Sequence, residues 1–547
     1  MRRSKTGAMA MYDYVIVGAG SAGCVLANRL SEDPTVNVLL VEAGGPDTNP
    51  LIHMPLAWTA LFRSDQDWDH SSGYEPHCNN RRIFLPRGKV LGGSSSLNAM
   101  IYIRGNPLDY DQWRDLGCLG WGWEEMLPYF QRAEDNERGE SDFHSVGGPL
   151  PVSDGRSRNT IAQAFIDAAI ACGLPPNDNF NSAKQDGVGW YQLTQRNGVR
   201  ASTAVAYLRP AMSRPNLHVE THVQVLKLLL EGTRAVGVLG VRLSERIEFR
   251  ASAEVIVSCG AYNSPQLLML SGIGRPDELA ALQIPPVAEI PGVGLNLIDH
   301  PMSGVVYLSD REGSLFGALN EHSLAHFQTR GCGPLTSNAA EAGGFVRTRE
   351  GLDAPDVQFH IVPALFVQEG LVPGQAHGFT LAASVVKPRS RGQVTLVSPD
   401  PTVKPFIIHN YYNDPEDLRA QVAGVRLAMQ IANTAPLAQW ASAPYLAPAS
   451  GSDEDITAHI RARMQTICHP VGTCKMGTDD TAVVDPQLRV RGIEGLRVVD
   501  ASIMPTVPRG NTNAPTIAVA ERAADLVRGR TIVTATSTPT SSRLPRA

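Results

Sequence analysis

An α/β fold in two parts, one a Rossmann-like parallel sheet and the other an α+β unit with a mostly antiparallel sheet, is predicted by three features of the sequence. Residues 14–17 (Tyr-Val-Ile-Val) form a short β-branched run that stops at Gly18-x-Gly20-x-x-Gly23, and apolar residues follow at helical spacing over 24–30. The same order of strand, glycine turn and helix recurs at 253–257, Cys259-Gly260-Ala261 and 267–270, and a third apolar run, 496–499, ends in Asp500 ahead of a helix predicted over about 516–528. Between about Met302 and Met464 the pattern changes to longer alternating strands (357–362, 379–386 and 393–397) with a helix near 418–432, which suits an antiparallel sheet covered by helices.

The opening stretch carries chemistry. Gly18 allows a tight turn, Gly20 lets a phosphate approach the backbone, and Gly23 lets the helix lie close on the sheet. The helix that starts at Ser21 and Ala22 presents free N–H groups and its positive dipole end to the turn, a ready site for a pyrophosphate. Glu42, followed by Ala43, ends the next strand (36–41), where a carboxylate can accept from both hydroxyls of a ribose. These residues call for a dinucleotide and leave FAD and NAD both open.

Further along, Arg87-Gly88-Lys89-Val90-Leu91-Gly92-Gly93-Ser94-Ser95-Ser96-Leu97-Asn98-Ala99 exposes backbone amides beside two cations, so it is expected to close on the same ligand. Residues 113–148 are aromatic, charged and turn-rich and read as an excursion over the surface. An amphipathic helix is predicted over 160–172, and 217–230 alternates as one strand. The resulting division assigns 11–155, 195–301 and 465–530 to a discontinuous dinucleotide-binding domain, 156–194 and 302–464 to a substrate domain, and 531–547 to a disordered tail.

Bulk properties narrow the classes. A chain of 547 residues, 43% hydrophobic and 19% charged, is a folded globular protein, and a net charge of −6 leaves no footprint for nucleic acid. Arg2, Arg3 and Lys5 are not followed by the apolar core of a secretory signal, and no apolar run reaches the ~18 residues of a spanning helix. Eight cysteines without a Cys-x-x-Cys fit reduced thiols. The expected location is the cytoplasm, with peripheral contact at the inner face of a membrane left open.

No Gly-x-Ser-x-Gly occurs, and His322 with His326 lack the intervening glutamate of a zinc hydrolase, so neither a serine hydrolase nor a metal site is expected. His469 stands out within Cys468-His469-Pro470, a turn in which the proline restricts the histidine to extended backbone. Asn511 follows 42 residues later, just before the last helix. An imidazole can take a proton from a hydroxyl while a carboxamide holds the same oxygen. Taken alone the pair reads more readily as structural than as catalytic.

In order along the chain, Gly18 to Gly23 with Glu42, Pro86 to Gly105, Gly260 to Gly274, His469 to Gly477 and Val499 to Asp525 resemble the glucose-methanol-choline (GMC) family of flavoprotein oxidoreductases, over about 12–528. The resemblance implies FAD, with Glu42 at the adenosine ribose, Val223 at the adenine, Gly93 and Asn98, Ala99 and Met100 along the flavin, Asp500 and Ala501 at the pyrophosphate and ribitol, and Thr512 with Asn511 at the ring. Gly18, Gly20, Ser21, Ala22, Gly23, Ala43 and Val90 complete the expected FAD contacts. His469 matches the family's active-site histidine and Asn511 its second position. Leu97 stands where covalent members have a histidine at or near this point, so dissociable FAD is expected.

The implied reaction is oxidation of a primary alcohol to the aldehyde by hydride transfer to flavin N5, with electrons passed to a quinone or other carrier, or to O2. A choline dehydrogenase is one alternative and a hydroxynitrile lyase with structural flavin, from another class, is the second. Glu341 matches the carboxylate that faces the ammonium group in choline-oxidising members, and Cys468 replaces their aromatic residue before the histidine, which favours a neutral alcohol.

Overall fold

The computed structural model describes residues 11–372 and 374–530, so the predicted tail at 531–547 and the basic residues at 2–5 lie outside the described residues. The chain opens with β1 (Met11–Val17), α1 (Ser21–Leu30) and β2 (Val38–Val41), passes through α2 (Thr160–Ala171) and β3 (Gly187–Trp190), and continues with β4 (Leu217–Glu220), β5 (Gln224–Glu231), β6 (Arg234–Arg242), β7 (Glu245–Val257) and α3 (Gly260–Leu270). There follow β8 (Pro301–Leu308), β9 (Ala342–Val346), β10 (Val357–Val362), β11 (Gly378–Val385), α4 (Pro415–Ala432), β12 (Ala443–Leu446), β13 (Gln465–Thr466), β14 (Leu496–Val498) and α5 (Asn513–Val527).

Two seven-stranded sheets result. In the first, β4, β2, β1 and β7 lie side by side in that order with parallel pairing, β14 joins β7 in parallel, and β6 and β5 extend the far edge antiparallel. Val15, Ile16 and all of β2 are buried, as strands covered on both faces require. The second sheet, β12-β8-β11-β10-β9-β3 with β13 beside β8, is antiparallel throughout. Helix α4 lies on it, and Gly424 permits the approach because a Cβ there would already touch Ala383 at 3.0 Å. No helix among the described residues is long and apolar enough to cross a membrane.

Two expectations fail for physical reasons. Residues 217–230 form two strands, because His222 takes a left-handed conformation (φ 57°) and the chain breaks there. The N–H groups of His222 and Val223 donate to Gly44 and Glu42, so β4 and β5 part to opposite edges of the sheet. Residues 113–136 do not run over the surface as expected, although most of 137–148 does. Trp113, Trp121, Tyr129 and Phe130 belong to the main core, where each buried ring contributes about 1.5–3 kcal/mol, and the Trp113 indole N–H donates to the Thr506 carbonyl at 3.1 Å. The charged residues that suggested exposure sit on the outer faces of short helices at Pro107–Asp115 and Trp123–Ala133.

Candidate active site

One large cavity, about 2380 Å³ with its open mouth, runs between the two sheets from the glycine turn after β1 to the loop that carries His469. At the turn end, Gly18 adopts φ 98°, and a Cβ there would meet the Ser258 carbonyl at 2.5 Å. A Cβ at Gly23 would lie 1.9 Å from the Gly18 carbonyl oxygen, so this glycine sets how tightly α1 sits on its own turn. Gly20 is different: nothing lies within 4 Å of a Cβ there, and it faces the cavity. Gly92 donates its N–H to Ala19 and Leu91 to Gly45, which brings the glycine-serine loop over the cradle.

Neither α1 nor α5 has a side-chain cap at its N-terminus. Both ends open onto the cavity and are tied together where Ser21 donates to the Asn513 amide oxygen at 2.7 Å. Unsatisfied N–H groups and positive dipole ends therefore converge there, as an anionic group requires. Arg200 lies behind the opposite wall, fully buried, with its guanidinium on the carbonyls of Ile52, Ser95 and Asn98 and on the Asn98 amide oxygen at 2.9 Å. No carboxylate pairs with it among the described residues, and burial pushes its pKa down to about 9. This charge lies behind Asn98, which itself lines the cavity.

Glu42 accepts from the N–H groups of Ala19 and Gly44, both at 2.8 Å, and burial raises its pKa to about 7 despite those bonds. Ser21, Ala22, Ala43, Gly93, Asn98, Ala99, Met100, Val223, Asp500, Ala501 and Thr512 line the same cavity. Asp500 is already committed, accepting from Gly260 N–H, Ser264 and Ser502 N–H, so it shapes the wall through α3. Two expected contacts do not reach the cavity surface. Gly23 acts through packing, and the Val90 side chain is buried in a small cluster with Ile52, Leu61 and Leu97 beneath the wall.

At the other end His469 and Asn511 meet, with Asn511 Nδ2 3.3 Å from His469 Nε2. The His469 backbone N–H donates to Asp299 at 2.7 Å, and Arg87 holds the neighbouring Cys468 carbonyl at 2.8 Å, so the loop is anchored on both sides. Burial, reinforced by His300, His360 and Arg87, holds the His469 pKa well below the usual imidazole value, which keeps the ring neutral. Cys468 also lines the cavity, but burial pushes its thiol up to about 12 and it stays protonated.

Glu341 is the expected site residue that the fold takes elsewhere. Its carboxylate accepts from the Asn159 N–H at 2.7 Å and from the Ser337 hydroxyl, and it does not line the cavity. The residue precedes β9, and one hydrogen bond from Asn159, just before α2, with a second from Ser337 in its own loop turns it away.

His300, His360, Gln358 and Arg200 escaped the sequence reading. His300 Nδ1 lies 3.0 Å from His469 Nδ1, and Gln358 donates to the Asn511 amide oxygen at 3.1 Å. His300 did carry a signal, since it precedes Pro301 as His469 precedes Pro470. Gln358 and His360, two apart on β10, point to one face of a strand, which alternation alone reads as ordinary core. Near the mouth, Trp58, Phe62, Phe84 and Phe366 form an aromatic wall, with Trp58 5.9 Å from Phe366 and 5.4 Å from Phe62 between ring centroids.

Comparison with known proteins gives a consistent picture. The GMC oxidoreductase family matches residues 12–302 with its N-terminal part and 388–520 with its C-terminal part. An alcohol dehydrogenase [acceptor] from Pseudomonas putida is 44% identical over 527 residues, covering 94% of this chain and 96% of the relative. The mitochondrial choline dehydrogenase of Homo sapiens is 43% identical over 95% of this chain and 90% of its own. A formate oxidase from Aspergillus oryzae RIB40, solved in work on its FAD modification, superposes with a TM-score of 0.90 at 28% identity, over 95% of this chain and 98% of that one.

Proposed function

The chain belongs to the GMC oxidoreductase family and is an FAD-dependent enzyme acting on CH–OH donors, and from that premise we propose that it oxidises a neutral primary alcohol, aliphatic or aromatic, to the aldehyde and passes the electrons to a quinone or other carrier. The observation that carries this reading is the meeting of His469 and Asn511 in the wall of the cavity that begins at the glycine cradle. Bound FAD supplies the hydride acceptor. Glu42, Val223 and the free ends of α1 and α5 are the groups that would hold its adenosine and diphosphate, and Asn98, Ala99, Met100 and Thr512 those along its ring.

The alcohol oxygen enters between His469 and Asn511 and displaces the Asn511 Nδ2–H from Nε2, so that the Nε2 lone pair takes the hydroxyl proton and the Asn511 Nδ2–H is offered to the same oxygen. A base with a depressed pKa is a weak proton acceptor in the ground state, so its help is concentrated where negative charge develops on the oxygen.

Two features favour a neutral substrate. Glu341 is engaged away from the cavity, and Glu369, the carboxylate at the mouth, faces the Arg81 guanidinium at 4.0 Å. The second reading is a cationic amino alcohol such as choline, favoured by Trp58 and Phe366 in the same wall as Glu369. Anaerobic mixing of the holoenzyme with a panel of alcohols decides. Bleaching of the flavin by hexanol or benzyl alcohol well before choline is the expected result, choline first would select the second reading, and no bleaching by any alcohol would leave a lyase with structural flavin. Reoxidation of the bleached enzyme faster by a quinone analogue than by air-saturated buffer is expected, and the reverse order would make it an oxidase.

We further propose that the FAD is not covalently bound, because Leu97 lines the cavity just before Asn98 and its side chain has no atom that can bond to the flavin. Acid precipitation should leave the yellow colour in the supernatant. A yellow pellet would count against it.

A further inference from the structure

The donors and acceptors around His469 form a directed chain that begins on a group with no choice of role. The Phe359 carbonyl can only accept, so Tyr191 gives it the phenol proton across 2.6 Å. Tyr191 oxygen then accepts from Gln358 Nε2 at 3.2 Å, and the same Nε2 donates to Asn511 Oδ1 at 3.1 Å. With its oxygen committed, Asn511 turns Nδ2 to His469 and donates to Nε2. Nε2 must therefore carry a lone pair, and the proton of the neutral ring sits on Nδ1, which faces His300 Nδ1 at 3.0 Å. Between two Nδ1 atoms only one proton fits, so His300 accepts it.

Resting on the alcohol-oxidation reading, we propose that His300 is the positioning residue that holds His469 in the Nδ1–H tautomer, leaving Nε2 as the base, and that it does so as a neutral imidazole in the place where other histidine bases have a carboxylate. The two rings stand nearly perpendicular, 88° between planes with centroids 5.2 Å apart, so the His469 N–H points at the edge lone pair of His300. Both backbones are pinned to one atom, since the N–H groups of His300 and His469 both donate to Asp299 Oδ1, at 2.9 and 2.7 Å.

When the alcohol O–H breaks, its proton forms Nε2–H on His469, and the Nδ1–H stays shared with His300. The charged and titratable groups around the pair are His360 from β10 and Arg87 on the His469 side, with Asp299, Lys387 and Asp109 on the His300 side. Burial lowers the His300 pKa to about 4, so this ring is neutral at rest. A carboxylate at the same place would attract the proton and make His469 basic at rest. The neutral partner avoids that.

The test combines a tautomer measurement with a substitution series on the holoenzyme. In the 15N-histidine-labelled wild type, the His469 signals, assigned by their loss in His469→Gln, should show a protonated Nδ1 and an unprotonated Nε2 at pH 7. His300→Leu should lower the rate of flavin reduction by ~10²-fold or more while keeping FAD content. His300→Asn, whose amide oxygen can accept the same proton, should stay within about tenfold of wild type. His300→Asp should move the acid limb of kcat/KM to higher pH by about one unit or more, because a negative neighbour raises the His469 pKa. A protonated Nε2 in the wild type, or a His300→Leu enzyme with wild-type rate and acid limb, would overturn the proposal. If His469→Ala is nonetheless inactive, the alcohol-oxidation reading survives that failure. An active His469→Ala would sink the reading itself.

Discussion

Replacing His469 with alanine should slow reduction of the flavin by an alcohol by about 10²–10⁴-fold, the usual worth of a general base, while the FAD content and visible spectrum stay those of the wild type. Separation of the two effects is expected because the side chain lies at one end of the cavity and the cradle at the other. His469 Nε2 contacts Asn511, and Nδ1 contacts His300. Neither ring nitrogen supports the dinucleotide turn. Stopped-flow mixing without oxygen measures the rate directly, and a rate within a few-fold of wild type would remove His469 from the chemistry.

The second large effect concerns two glycines three residues apart that do different things. Gly23→Ala places a Cβ 1.9 Å from the Gly18 carbonyl, and neither backbone can yield without moving α1 off the sheet. A cost of about 3 kcal/mol or more in apoprotein stability is expected, read as a lower unfolding midpoint in urea. Gly20→Ala meets no protein atom within 4 Å and has ordinary backbone angles (φ −78°), so the apoprotein should unfold at the wild-type midpoint. That methyl projects where a diphosphate would approach the turn, and FAD affinity should fall by at least tenfold. If instead Gly20→Ala unfolds early, or binds FAD normally, the cradle has been assigned the wrong ligand face.

The two glycines also show how far spacing along the chain goes. Gly18, Gly20 and Gly23 could be given separate tasks from sequence because each task is local: a left-handed turn, an open backbone and a helix lying on its own strand. Strands β1, β2 and β10 were legible for the same reason, being short apolar or alternating runs between turn residues. The break at His222 was not, because a left-handed histidine leaves no mark in the pattern of apolar residues, and the N–H groups of His222 and Val223 are satisfied by Gly44 and Glu42 far away in the chain. Trp113 and Trp121 were misread because charged neighbours on short helices hide a buried face.

By itself the sequence determined a dinucleotide cradle, and its ordered motifs, through the family resemblance, singled out FAD as the cofactor and His469 with Asn511 as the pair to examine. Only the tertiary structure decided that His469 meets His300 through Nδ1 and Asn511 through Nε2, that Glu341 is turned away, and that Arg200 has no carboxylate partner among the described residues. Those are matters of hydrogen-bond direction and charge between groups as distant in sequence as His300 and His469, or Gln358 and Asn511. A hydrogen bond is directional over about 3 Å, and no spacing along the chain encodes which of two atoms at that distance holds the proton.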